Sequence, residues 1–199
     1  MLSPGGKLTL NIFEPRYKSL IERATDKGIP MAVAHAFKSN EAGLDLVKIP
    51  HDDLPFIYPQ VGFGEVHIIG ETEQNTFIIM VSGDGKGSVK EVYQKEGELF
   101  LTTELETVEQ GDKLEQESQF LYRRLRDITR ENVQNLLKSD AETDTLMDNL
   151  KNPAALIAFY TDHILENFED KLRVFAENDL NRKLQLLGNY MVTKSLYKH

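Results

Sequence analysis

Between Gly111 and Gly188 the chain holds no glycine, whereas before Gly111 glycine, proline and asparagine separate short β-branched and aromatic runs. Glycine and proline break regular elements, so the first stretch suits long helices and the second suits short strands and turns. The shift divides the chain near Gln110, Gly111 and Asp112. Residues 1–110 read as a strand-rich domain with one helix and residues 111–199 as a helical subdomain, an α+β arrangement.

In the first part, Leu8, Leu10 and Ile12 alternate along a strand over 7–12. A helix follows over 13–27, with Pro15 suited to its first turn, an apolar stripe of Phe13, Tyr17, Leu20, Ile21 and Ala24, and Gly28 at its end. Residues 30–37 read as a strand. Four more strands are expected over 61–70, 76–82, 89–94 and 99–106, at a spacing that favours a small antiparallel barrel or sandwich over βαβ units. The second part predicts three main helices. The first carries Leu114, Leu121, Leu125, Ile128 and Leu136, the second starts at Pro153 behind Asn152, and the third follows a cap at Asn178 or Asp179. Residues 139–149 are polar and read as a linker.

Composition now excludes several functions. The 199 residues are 40% apolar, enough for one full core or two small ones. The absence of cysteine removes disulfides, thiolate metal sites and cysteine nucleophiles. Net charge is −9, and residues 1–110 hold 10 Lys+Arg against 17 Asp+Glu, net −7, while 111–199 hold 13 against 15, net −2. That balance opposes nucleic-acid and anionic-membrane binding, which depend on basic surface. Arg123, Arg124, Arg126 and Arg130 are interleaved with Glu117, Asp127 and Glu131, which reads as a salt-bridged helix face. The start has no secretory apolar core and no run reaches the roughly 20 residues of a membrane span, so a cytoplasmic location is expected.

Chemical motifs are few. Gly83-Asp84-Gly85-Lys86-Gly87-Ser88 looks like a phosphate loop, but Met80 stands where its first glycine belongs and Gly87 follows the lysine. A hairpin loop is the expectation there. The five histidines lack ligand spacing, so neither metal nor cofactor is expected. No nucleophile, base and orienting group form a recognisable set, so the chain reads as no enzyme.

The string Leu8-Thr9-Leu10-Asn11-Ile12-Phe13-Glu14-Pro15-Arg16-Tyr17 resembles the strand-to-helix junction of the N-terminal domain of Lon, the ATP-dependent protease La family, with its pattern Leu-Pro-Leu-x-Ile-Phe-Glu-Pro-Arg-Tyr. Met1 to Gly6 resembles the family's preceding Pro-Gly turn. Val61 to Val66, Val81 to Gly83 with Val89 to Val92, Asn152 to Ala158 and Leu180 to Leu184 resemble later segments, so the likeness spans nearly the whole chain. It implies a PUA-like six-stranded pseudobarrel followed by helices, in a stand-alone form without the ATPase and protease modules. The family's first apolar strand precedes the Pro-Gly turn and Met1 falls after it. Either the natural start lies upstream or one barrel edge is open, and an open edge invites a homodimer.

Two groups are candidates for binding, each with a structural role as its alternative. Glu14, Arg16 and Tyr17 sit at the helix start, where the carboxylate meets the positive end of the helix dipole and the guanidinium braces a neighbouring segment or a ligand. Leu54, Phe56, Ile57 and Tyr58 form a proline-flanked aromatic stretch that either plugs a barrel mouth or holds extended polypeptide. The resemblance implies a non-catalytic module that binds unfolded or extended polypeptides or a protease partner, with no nucleic-acid or membrane partner. RNA binding by analogy with PUA barrels, and a hydrolase-associated role, remain as alternatives.

Overall fold

The computed structural model describes residues 1–35, 57–72, 74, 76–109, 111, 113–137 and 139–196, with side chains to 192. The chain forms two compact units, Met1–Val108 and Glu109–His199.

The first unit contains β1 (Lys7–Ile12), α1 (Pro15–Lys27), β2 (Met31–Val33), β3 (Gln60–Glu71), β4 (Phe77–Tyr93) and β5 (Thr102–Thr107). All pairings are antiparallel, in the order β1-β4-β3-β2, with β5 also on β4. Among the described residues the sheet therefore has five strands, where the resemblance implied six. β1 pairs with the first part of β4, from Ile12↔Phe77 to Lys7↔Ser82, and β5 with the last part, from Gly87↔Thr107 to Tyr93↔Thr102. The N-terminal residues fill the interval between them: Gly5 N–H donates to the Gly83 carbonyl at 2.7 Å and Gly83 N–H to the Gly6 carbonyl at 2.8 Å.

That interval corrects the expected hairpin loop at 83–88. β4 runs unbroken through it, because β3 continues to pair opposite, with Gly62↔Lys86, Phe63↔Gly85 and Gly64↔Gly83, and a bulge absorbs the offset. The glycines permit close approach of backbones. A Cβ on Gly62 would lie 1.8 Å from the Leu2 carbonyl oxygen, and one on Gly64 would lie 1.7 Å from that of Ser82. Lys86 is buried within the strand, so the segment offers no phosphate-binding loop.

The core of this unit is Leu2, Ile21, Ala24, Val66, Ile79 and Val81, with Leu8, Leu10, Ile12 and Leu20 partly buried against it. Each large side chain removed from water there contributes about 1.5–3 kcal/mol. Pro15 opens α1, and Gly28 ends it with φ 61°, donating its N–H to the Ala24 carbonyl. Of the expected apolar stripe, Ile21 and Ala24 are buried and Leu20 half-buried, whereas Phe13 and Tyr17 stay exposed. They flank Pro15 at the helix start, a turn ahead of the residues that meet the sheet.

The second unit contains α2 (Gln116–Leu137), α3 (Asp140–Asn149), α4 (Pro153–Phe159) running into a π-helical turn (Tyr160–Ile164), α5 (Phe168–Ala176) and α6 (Leu180–Leu196). Among the described residues five helices stand where three main ones were expected. The supposed linker is α3: Ser139 caps it, accepting from the Glu142 N–H, and Thr143 and Met147 are buried one turn apart. α5 starts at Asn167, which accepts from the Glu169 N–H at 2.8 Å. The expected cap Asn152 accepts from the Ala155 N–H at 2.7 Å, and Asp179 from the Asn181 N–H at 2.7 Å. Leu125, Leu156, Leu165, Leu180, Leu184 and Leu187 belong to the shared core. Among the described residues no helix is long and apolar enough to cross a membrane.

Candidate functional site

The first unit leaves large apolar side chains exposed at one end of its sheet. Register sets the place: Ile12 pairs with Phe77 across β1 and β4, while Glu71 pairs with Phe77 and Ile68 with Ile79 across β3 and β4. Phe13, one residue beyond the Ile12 pair, is 67% exposed. Ile68 and Ile69 are 43% and 56% exposed, because the register shift between Ile68 and Gly70 leaves Ile69 without a cross-strand partner. Tyr17 follows in the first turn of α1, 41% exposed.

Charged groups frame this apolar end. The Arg16 guanidinium donates to Glu14 Oε2 through Nε and a terminal nitrogen, each at 2.8 Å, and lies 4.7 Å from the centre of the Tyr17 ring. The Lys18 ammonium sits 5.6 Å from the Phe77 ring centre. Glu14, Arg16 and Tyr17 thus form one surface cluster. The Arg16 fork closes on its own turn, where a brace to a neighbouring strand was the sequence-based alternative.

Of the second expected group, only Ile57 and Tyr58 are among the described residues, and they lie elsewhere. Leu54 and Phe56 fall outside the described residues. Ile57 and Tyr58 are half-buried, the Tyr58 N–H donates to the His35 carbonyl at 2.9 Å, and the chain then enters β3 at Gln60, opposite Ser88. They therefore join the β3–β4 ribbon at the end opposite Phe77, and the structure does not bring them to Glu14, Arg16 and Tyr17.

Sequence reasoning missed Phe13, Ile68 and Ile69 as surface residues. The doublet Ile68-Ile69 did carry a signal, since two adjacent isoleucines in an alternating strand cannot share its buried face. Among the described residues no group of three or more His, Asp or Glu gathers to hold a metal. The arrangement offers apolar contact, ring faces and, among the described residues, an unpaired edge on β1, which are means of binding.

The architecture recurs in solved structures. A Lon N-terminal domain protein from Xanthomonas campestris superimposes with TM-score 0.61 at 15% identity, covering 96% of this chain and 92% of that one. The N-terminal domain of Mycobacterium avium complex Lon protease gives TM-score 0.66 at 13% identity, covering 96% and 91%. At these identities the likeness shows a shared α+β fold, an antiparallel sheet followed by helices. Comparison with curated protein sequences found no match. The family model for the ATP-dependent protease La (LON) substrate-binding domain matches residues 1–193, and the chain belongs to that family.

Proposed function

We propose that this chain is a non-catalytic module that binds unfolded or extended polypeptide, and that the apolar end of the sheet is where it does so. The observation carrying this reading is the exposure of Phe13, Tyr17, Ile68 and Ile69 together at that end. Isolated exposed apolar residues are ordinary, but several at one place mark interaction surface. β1 adds a second means of capture, since it pairs with β4 alone among the described residues and an extended peptide can extend such an edge. Glu14 and Arg16 supply polar contacts at the rim. A cytoplasmic setting and cooperation with a protease accompany the reading.

Titrating a labelled, permanently unfolded model protein into the full chain, followed by fluorescence anisotropy, tests it. Saturable binding should weaken by about tenfold or more in Phe13→Asp and in Ile69→Asp, as expected for the loss of a central apolar contact. Loss on Tyr58→Asp with Phe13→Asp unaffected would move the site to the other end of the ribbon. No binding of any unfolded protein would end the reading.

A further inference from the structure

Among the described residues the salt-bridged face expected on α2 does not form. Arg130 pairs with Asp144 of α3 at 2.9 Å, while among the described residues no carboxylate pairs with Arg123, Arg124 or Arg126. Arg123 and Arg124 are exposed, and Phe120, 65% exposed, precedes them by one helical turn on the same side. Asp127 is exposed on that side too, yet it contacts neither guanidinium, and an exposed aromatic beside two arginines free of an ion pair among the described residues has the composition of a contact surface.

The strand-rich unit carries the opposite problem. Glu91 stands directly opposite Glu104 across β4 and β5, both exposed. Like charges facing one another destabilise an antiparallel pair. The neighbouring Lys90 is engaged elsewhere, 3.6 Å from Glu106, and residues 1–110 have net charge −7. Guanidinium groups brought against this strip would remove the repulsion.

We propose that a second copy of this chain supplies them: the α2 face carrying Phe120, Arg123 and Arg124 in one copy docks on the Glu91–Glu104 strip of another. Both halves of the contact are present in every copy, and their charges are complementary. The chain's net charge of −9 does not prevent it, because at physiological salt the screening length is about 8 Å and only charges in contact interact strongly. A nucleic acid is the poorer occupant, since its dense negative charge would approach a chain with a large excess of acid. The contact uses residues separate from the polypeptide site, so either assignment can fail without the other.

Sedimentation of the full chain over a concentration series provides the test. The average mass should rise above 22.7 kDa with concentration. Arg123→Glu with Arg124→Glu should weaken association about tenfold or more, as should Glu91→Lys with Glu104→Lys, and mixing the two charge-reversed variants should restore it. Circular dichroism of each variant confirms that it is folded. A constant monomer mass, or association that survives both pairs of reversals, would overturn the proposal. So would association lost on Phe13→Asp, which would place the contact at the apolar end, or salt-dependent nucleic-acid retention that needs Arg123 and Arg124 in a chain that stays monomeric.

Discussion

Lys183 shows how much one buried atom decides. It lies on the inward side of α6, between Leu180 and Leu187 in helical phase, and is 3% exposed. Burial lowers its ammonium from the ordinary 10.5 to about 8, against a smaller opposing effect of Glu177. In the unfolded chain the group stays protonated up to its ordinary value. Between about pH 8 and pH 10.5 the unfolded state therefore binds the extra proton, and stability rises with pH across that window. Below it both states are charged and the buried charge costs on the order of 3 kcal/mol. Lys183→Met should accordingly be more stable than the natural chain at about pH 7, by about 1–3 kcal/mol, with the gap closing towards about pH 10 in urea unfolding. Parallel stability curves would refute this. The helical phase of Lys183 was visible in the sequence beside Leu180, Leu184 and Leu187. Its burial required the other helices of the unit.

At the scale of elements, β4 is the informative case. Three glycines in five residues signal a turn to any local reading, and the ladder to β3 instead carries the strand through them. Gly64→Ala should cost about 3 kcal/mol or more, because its Cβ would meet backbone, which cannot rotate away as a side chain can. Gly111→Ala, whose Cβ would have nothing within 4 Å, should stay within about 0.5 kcal/mol of the natural chain. Equal losses in chemical denaturation would mean that the glycines matter for conformational freedom and not for close approach. α3 teaches the converse lesson. Its polarity suggested a linker, yet Ser139 provides a cap and the spacing of Thr143 and Met147 gives just enough buried side.

For the whole molecule, the two cores share no residue: one gathers around Ile79 and Val81, the other around Leu156, Leu184 and Leu187. We propose that the units are separate domains dividing near residue 110. A fragment comprising residues 109–199 should then give a helical circular dichroism spectrum and a single cooperative melt. A fragment without cooperative unfolding would show that its core depends on residues 1–108. The binding end belongs entirely to the first unit, while the proposed contact between copies needs both.

The sequence by itself determined a strand-rich stretch ahead of a helical one, the caps at Asn152 and at Asn178 or Asp179, the helix from Pro15 to Gly28, and the family likeness carried by Phe13 to Tyr17. These signals act over a few residues, through helical period, turn geometry and single hydrogen bonds. Tertiary structure alone decided that Gly62 and Gly64 of β3 accommodate the backbones of Leu2 and Ser82, that Phe13 and Tyr17 face outward, and that Ile57 and Tyr58 join the β3–β4 ribbon at the end opposite Phe77. Each of those outcomes depends on a partner distant along the chain. Local pattern cannot set such a partnership, because close packing and strand register exist only once the sheet has formed.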